Sequence, residues 1–568
     1  MVAIRRRTLA SIPPVHPHAV LDRIYRARGI ASPADLDNRL SGLLPPNSLR
    51  GVREAAFLLA NAIRDQKKIL VIGDYDCDGA TGTSIAVEGL SLLGAEQVDF
   101  LVPNRFEFGY GLSPAIVELA SQRKPDLILT VDNGISSLEG ACAVKALPWG
   151  CQLVITDHHL APDVLPEADA IVNPNQPGCS FPSKALAGCG VMFYVLLALR
   201  AVLRDERGYF QDGIAPSLNG LLDLVALGTV ADVVPLDKNN RVLVSAGLRR
   251  INEGQARPGI QNLLNLSGCK PGQVTSTDLA FRIGPRINAS GRLCDISTGI
   301  RCLLAQSPGI AEPYAAELDA LNRRRKEIEA QARDQALLGI ESLAEIPHGI
   351  CLYNPCFHQG VVGLVASRIK DAHHRPTVVL TDDTGKDGMV KGSARSISGF
   401  HLRDALEAIS IRHPGLIAKF GGHAMAAGLS LPRTSLRAFG EAFNREAMRR
   451  LSDDQLLDVT LTDGDLSAHE IGLETVELLA RAGPWGQAFE EPLFSGWFKV
   501  IDHRVLKEKH LKLVLRHPDG GDAIEAIGFN LVVEGFEGVP RRIGIVYRLD
   551  VNEYQGKRRV QLLVQQLL

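Results

Sequence analysis

The chain has no run approaching the roughly 18 consecutive apolar residues of a membrane span, and its opening stretch, MVAIRRRTLASIPPVHPHAV, holds no apolar segment of signal-peptide length. A cytoplasmic protein is the expectation. Paired cysteines are missing too. The ten cysteines are scattered, without a CxxC pair or a Cys/His cluster at zinc spacing, so they read as small buried hydrophobes in a reducing compartment. Charge of one sign does not dominate either: 62 Lys and Arg stand against 64 Asp and Glu. That balance removes the global basic signature of many nucleic-acid binders, but carboxylates gathered at one centre mask basic surface elsewhere, so charge has to be read locally. Internal repeats and low-complexity tracts are absent as well. What remains is a 568-residue chain with 45% hydrophobic and 22% charged residues, a globular composition too long for one core. About three to four domains are expected.

From Lys68 onward short apolar runs alternate with helical patterns: KILVIGDYD, SIAVEGLSLLG, QVDFLVP, PAIVELASQ, DLILTVDNG, CQLVITDHH. This alternation predicts a parallel sheet with crossover helices. The acidic residues fall just after the strands, and open α/β sheets bind ligands at the carboxyl ends of their strands. Asp74 to Asp78, Asp132 and Asp157 to His159 are therefore expected at one sheet edge. GLLDLVALGTVADVVPL closes the domain, and ELDALNRRRKEIEAQARDQALLGIESLA reads as one long, exposed, charged helix. Strand and helix patterns resume at GICLYN, VVGLVASRIK and PTVVLTDD, ending in the glycine-rich KFGGHAMAAGLS, a second α/β domain. Beyond about residue 455, alternating segments such as HLKLVLRHP and RRIGIVYRLDV predict a small β-barrel, with an OB-fold leading. The divisions expected are an N-terminal extension (1–50), a catalytic domain (51–304), a connecting helix (305–345), a second α/β domain (346–450) and a nucleic-acid-binding barrel (451–568).

The chemistry gathers at the strand ends. Asp74, Asp76 and Asp78 place three carboxylates within five residues, a repulsion that a hard divalent cation relieves. A solvated turn is the bland alternative. A calcium EF-hand is excluded, because loop position twelve would be Ile85 rather than an acid. Asp132 alone reads equally as a turn former, a helix cap or a ligand. In Asp157-His158-His159, adjacent imidazoles beside a carboxylate suit one metal ligand and one group that contacts phosphate or orients a neighbour. Histidine among carboxylates favours manganese over calcium.

Together these clusters resemble the DHH phosphoesterase family, whose triplet stands at 157–159 and whose fourth motif is similar to GTVAD at 228–232. The resemblance implies a centre of two Mn²⁺ or Mg²⁺ ions held by Asp74, Asp76, Asp78, Asp132 as the bridge, His158, and either Asp223 or Asp232, with His159 on a phosphate oxygen. The family's second domain, DHHA1, is matched at FHQGVVG (357–363) and GGHAMAAG (421–428), with Gln359 where glutamate is common. PNRFEFGYG (103–111), GPRINASGR (284–292), GSARS (392–396) and WGQAFEEPLF (485–494) resemble the family's single-strand exonuclease branch over nearly the whole chain. Arg105, Arg286, Arg292, Ser393 and Arg395 offer donors to phosphate, and Phe106, Phe108 and Tyr110 offer rings to unpaired bases. Asn288, His358, Gly421, Gly422 and His423 complete the substrate-binding set that the resemblance implies. In the barrel, Lys499, Arg504, Lys507, Lys509, Lys512 and Arg516 outnumber Asp502 and Glu508, and Lys557, Arg558 and Arg559 follow, a basic face suited to tracking a single strand. The implied activity is processive 5′→3′ hydrolysis of single-stranded DNA in repair and recombination, with a single-strand-binding protein and a helicase as further partners.

Overall fold

The computed structural model describes residues 3–104, 107–108, 110–205, 209–210, 214–341, 345–532, 536 and 538–568, and for Tyr554 the backbone alone. The chain forms two compact units, residues 6–319 with 461–568, and residues 1–5 with 320–460.

In the first unit, β1 (Ile69–Gly73), β2 (Val98–Leu101), β3 (Leu127–Val131), β4 (Gln152–Thr156) and β5 (Ala170–Val172) form a sheet of order β2-β1-β3-β4-β5. Every pairing is parallel. Helices cover both faces, which is why β1 and β3 are buried at all five positions and read as continuous apolar runs. Helix α1 (Cys77–Leu92) follows β1 and is pressed between the sheet and α2 (Gly188–Asp205). The approach is close: a Cβ on Gly89 would lie 2.2 Å from Leu196. Helix α3 (Leu222–Ala231) is almost wholly apolar and packs against α1, and α4 (Gly284–Leu293) lies beside both. Residues before position 50, which read as an extension, contribute Val20, Leu21, Ile24, Tyr25 and Leu49 to this core.

Helix α5 (Pro308–Glu341) starts in the first unit and ends in the second. It is less exposed than its charge suggests, because Ala315 and Leu318 are buried early and Ala332, Ala336 and Ile340 late. In the second unit, β6 (Ile350–Tyr353), β7 (Thr377–Asp382), β8 (Met389–Arg395), β9 (Lys419–Gly422) and β10 (Ala426–Pro432) form a mixed sheet of order β9-β10-β8-β7-β6. Helix α6 (Val362–His373) packs on β7 and β8.

Back in the first unit, β11 (Phe494–Leu506), β12 (His510–His517), β13 (Gly520–Gly528), β14 (Arg542–Tyr554) and β15 (Lys557–Leu567) close a barrel of order β11-β12-β13-β15-β14. The strand alternation is visible in β12, where Leu511, Leu513 and Leu515 point inward and Lys512, Val514 and Arg516 outward. Among the described residues no helix is long and apolar enough to cross a membrane.

WGQAFEEPLF has a structural task. Trp485 and Phe489 stack at 5.1 Å, Tyr25 stacks on both, and Leu236 N donates to Gln487 O at 2.8 Å. Beside them Arg28 forks onto Asp463 at 2.7 and 3.1 Å, with side chains only 1% and 0% exposed. Arg28 Nε also donates to Glu490 O at 2.7 Å. Breaking a buried pair strands the other charge, so Asp463→Ala is expected to destabilise the protein by about 3–5 kcal/mol. An apolar replacement of both partners, Arg28→Met with Asp463→Leu, recovers most of the loss. Urea or thermal unfolding of the three proteins reads this, and a mild Asp463→Ala would show that the pair is dispensable.

Candidate metal centre

The strand order reverses at β1 and β3, and the loops leaving their carboxyl ends carry Asp74 to Asp78 and Asp132. Backbone donors shape the first loop. Asp76 caps α1, accepting from Asp78 N at 2.8 Å and Gly79 N at 3.0 Å. Asp78 turns the other way, onto the N-terminus of α2, where Gly188 N and Cys189 N donate to it at 2.6 and 2.9 Å. A helix N-terminus favours a carboxylate through both its unpaired N–H groups and its dipole. Asn288 also serves this loop, accepting from Cys77 N at 2.7 Å, and a Cβ on Gly291 would meet Tyr75 O at 1.9 Å. The GPRINASGR helix thus buttresses the aspartate loop. Asn288, expected at the substrate, also holds the loop through its Oδ1.

Asp132 sits at φ 63°, a left-handed conformation that an aspartate holds only when its neighbours enforce it. They do so here. Asn133 Nδ2 donates to Val131 O at 2.9 Å and Ile72 O at 3.1 Å, and Thr130 Oγ1 donates to Asn133 O at 2.7 Å. Tyr110 Oη donates to Asp132 O at 3.1 Å. Gly188 leaves the necessary room, since its Cβ would lie 2.6 Å from that of Asp132.

After β4, Asp157 is a hub. One oxygen accepts from His158 N and His159 N at 2.7 and 3.1 Å and lies 2.7 Å from His159 Nδ1, and the other accepts from Ile135 N at 2.9 Å. Asn175 and Asn173 hold the carbonyls of His158 and His159 at 2.6 and 2.9 Å. Tyr110 Oη lies 3.0 Å from His159 Nδ1. Asn133, Asn173 and Asn175 carried no expectation from sequence, and Asp157 was expected only at the sheet edge as the carboxylate beside the imidazoles. Asp157 was the one within reach, being part of the triplet itself.

His158 Nε2 faces the aspartates, 3.1 Å from Asp132, 3.5 Å from Asp232 and 3.9 Å from Asp78. Asp232 rather than Asp223 therefore joins the cluster. Asp223 is fully buried elsewhere, accepting from Arg257 N at 2.9 Å and Arg257 Nε at 3.1 Å. In the first turn of α3 and held by Arg257, it stays out of the cluster, which corrects its candidacy as a ligand. Ligand atoms converge in three overlapping groups: Asp74, Asp76 and Asp132; Asp78, His158 and Asp232; Asp132, His158 and His159. Within each group they lie within 4.8 Å of one another.

Carboxylates outnumber the imidazoles here, and the electrostatics follow from their crowding. Burial, then repulsion from Asp78 and Asp76, holds Asp132 and Asp232 well above the usual carboxylate range. Burial raises Asp78 too, against the opposing pull of His158. Burial and the neighbouring His159 lower His158. His159 goes up, to about 9, because the hydrogen bond and charge of Asp157 outweigh burial. Asp132 Oδ1 and His158 Nε2 are buried, face each other, and neither makes a hydrogen bond. Buried polar atoms are rarely left so. Deprotonated carboxylates and a neutral imidazole around a divalent cation remove both the repulsion and the unmet lone pairs, so the donor set fits such an ion.

Other expected residues stand differently. Arg105 and Phe106 lie outside the described residues. Phe108 is partly buried against the sheet core, and Arg286 Nε donates to Asp319 at 2.9 Å. Arg292 is half-buried in the last turn of α4. In the second unit, Ser393 on β8, Gly428 on β10 and Gly421 on β9 lie side by side in register, with Arg395 Nη1 donating to Ser393 Oγ at 3.0 Å. Gly421 and Gly428 are exposed, and Lys391 and Lys419 flank them. His423 N closes the adjoining hairpin on Ala426 O, with Gly422 in the turn at φ 141°. His358 Nδ1 accepts from Gly360 N at 3.0 Å, and Gln359 donates to Asp382 O.

Comparison with known proteins covers the same ground. Profiles described as the DHH family N-terminal domain, the DHHA1 domain and the RecJ OB domain match residues 68–229, 349–449 and 462–566. The single-stranded-DNA-specific exonuclease RecJ of Haemophilus influenzae is 47% identical over 99% of this chain and 98% of its own length. The crystal structure of Thermus thermophilus RecJ in complex with Mn²⁺ superposes with a TM-score of 0.80 at 30% identity, covering 99% of this chain and 79% of that one. The Mg²⁺ complex gives 0.76 at 29%, covering 99% and 78%.

Asp132→Asn is expected to raise the melting temperature of the metal-free protein, because at constant shape it removes a carboxyl that burial and its neighbours hold away from its preferred charged form. It should also abolish the stabilisation that Mn²⁺ confers on the wild type, about 2.7 kcal/mol at a hundredfold excess over Kd. Asp223→Ala does the reverse, losing stability while keeping the Mn²⁺ response. Thermal unfolding after EDTA treatment, with and without Mn²⁺, separates these outcomes.

Proposed function

The chain belongs to the RecJ family of DHH proteins, and from that premise we propose that it is a single-stranded-DNA-specific exonuclease that hydrolyses phosphodiesters successively from a 5′ end. The observation that carries the reading is the buried pair Asp132 Oδ1 and His158 Nε2, 3.1 Å apart and without a hydrogen bond, amid four further aspartates. Asp74, Asp76 and Asp132 would hold one divalent ion, and Asp78, His158 and Asp232 another. When bound, two Mn²⁺ or Mg²⁺ ions supply Lewis acidity to the phosphate and lower the pKa of water. The chain's own residues supply the positioning. Asp157 and Tyr110 fix the His159 ring, which is assigned to a phosphate oxygen. The left-handed turn at Asp132 keeps its carboxylate aimed at His158.

Substrate contacts are assigned to two surfaces, each within its own unit. In the second unit, Ser393, Arg395, Gly421, Gly422 and His423, with His358 nearby in sequence to α6, offer donors and bare backbone to phosphate. On the barrel, Arg542, Lys499 and Arg516 stand in register across β14, β11 and β12, all exposed. Like charges set directly opposite destabilise a sheet, so a row of three suits a polyanion. Trp497, 50% exposed, lies two positions from Lys499 with the Arg542 guanidinium 5.7 Å from its ring centre. It is a stacking platform for an unpaired base. Arg542 and Trp497 were not among the expected contacts, and Lys512, which was, is paired with Glu525 at 3.1 Å. A cytoplasmic setting, a role in repair and recombination, and work alongside a single-strand-binding protein and a helicase belong to the same proposal.

With 5′-labelled and 3′-labelled single strands, the purified protein is expected to release the 5′ label first, only with Mn²⁺ or Mg²⁺, and reversibly on EDTA treatment. Release from the 3′ end, or equal action on duplex, would overturn the assignment. Replacing Lys499, Arg516 and Arg542 by alanine should flatten the dependence of log K on log salt by about 2, from roughly 0.7 per lost phosphate contact. An unchanged slope in a salt titration removes this face from the DNA path.

A further inference from the structure

We propose that Val233 is a substrate contact, an apolar side chain held at the rim of the metal centre to pack against the sugar or base of the nucleotide being cleaved. The proposal rests on the exonuclease reading and deepens it. Helix α3 ends at Ala231 with Asp232 as its cap, so Val233 occupies the following position, where a left-handed residue is usually glycine. It adopts φ 63°, and for a β-branched residue that is a true outlier. Core packing does not compensate, since Val233 is 61% exposed.

The segment is also pinned on both sides. Asp232 N donates to Gly228 O at 2.9 Å, Asn240 Nδ2 to Pro235 O at 2.9 Å, and Leu236, 2% exposed, through its N to Gln487 O at 2.8 Å. An unfavourable conformation is thus imposed by rigid neighbours on a side chain that presents two methyl groups to water. Its Cα stands one peptide, about 3.8 Å, from that of Asp232, whose carboxylate is 3.5 Å from His158 Nε2. The other groups gathered there are carboxylates and imidazoles, which meet the phosphate and its counter-ions. Beside them the Tyr110 ring, 43% exposed, offers one apolar face to a nucleotide, and Val233 adds an aliphatic surface from the Asp232 side. Strain retained without a structural return is what a functional site keeps.

The test compares Val233→Ala, Val233→Gly and Val233→Ile in the full chain. Val233→Gly should raise Tm by about 1–2 °C by releasing the left-handed valine. KM for single-stranded DNA should rise about fivefold for Val233→Ala and about tenfold for Val233→Gly as the apolar contact is lost, while Val233→Ile keeps it near the wild type. Mn²⁺ affinity by calorimetry should stay within about twofold throughout, because Asp232 is untouched. Three results overturn the proposal: a stabilised Val233→Gly with unchanged KM, a KM rise accompanied by loss of Mn²⁺ affinity, which marks displaced Asp232, or a fall in Tm, which shows that packing supports the valine. Failure of the wild type to degrade single strands is a different result, and it sinks the exonuclease reading itself.

Discussion

Five aspartates and a histidine are brought to one sheet edge, and their mutual repulsion is the constraint around which the first unit is built. Left alone, carboxylates this close take up protons or move apart. The fold prevents the second outcome with backbone donors: the N-terminus of α1 holds Asp76 and that of α2 holds Asp78. Asn133 and Thr130 lock the left-handed turn at Asp132. Those donors orient the charges without neutralising them. Burial and the charges of Asp78 and Asp76 hold Asp132 and Asp232 well above the usual carboxylate range, and the remedy is a divalent cation.

Several features that look unrelated follow from that constraint. Glycines at 188 and 228 allow helices to press directly on charged side chains, with a Cβ on Gly228 falling 2.9 Å from Asp78 Oδ1. Asn288 reaches from α4 to hold the loop from behind. The stacked clamp of Tyr25, Trp485 and Phe489 ties Leu236, four residues past Asp232, to the segment leading into the barrel. An acidic centre also demands that attraction for DNA come from elsewhere. The near-zero net charge of the chain conceals a row of three cations on the barrel and further lysines beside the glycine face of the second unit. In this way a polyanion can be drawn toward a protein whose reacting site is itself negative.

How much was legible in advance depended on whether a signal was local. Continuous apolar runs ending in Asp74, Asp132 and Asp157 identify parallel strands and their carboxyl edge, because a strand buried on both faces can be little else and its last residue is where the chain must exit. The alternation in HLKLVLRHP likewise identifies a barrel strand with one wet face. By contrast Asp223 and Asp232, nine positions apart on and just past one helix, carry equal local claims. Only the packing of α3 against α1 turns Asp232 toward His158 and hands Asp223 to Arg257. Arg286 and Phe108 show the same limit, since a guanidinium or a ring declares a capacity and its neighbours decide how much of that capacity is already used.

The sequence by itself therefore determined the order of strands and helices, the identity of the carboxylates and imidazoles available for metal, and the β character of the C-terminal part. Each of these follows from periodicity or from residue chemistry at fixed spacing. Tertiary structure alone decided which donors converge, how the switch in strand order sets Asp132 beside the Asp74 loop, and which basic residues align across strands that are distant in sequence. It also decided that Val233, one more apolar letter in a run, stands exposed in a left-handed turn. Convergence, register and backbone sign are properties of distances between remote segments, and no local pattern encodes them.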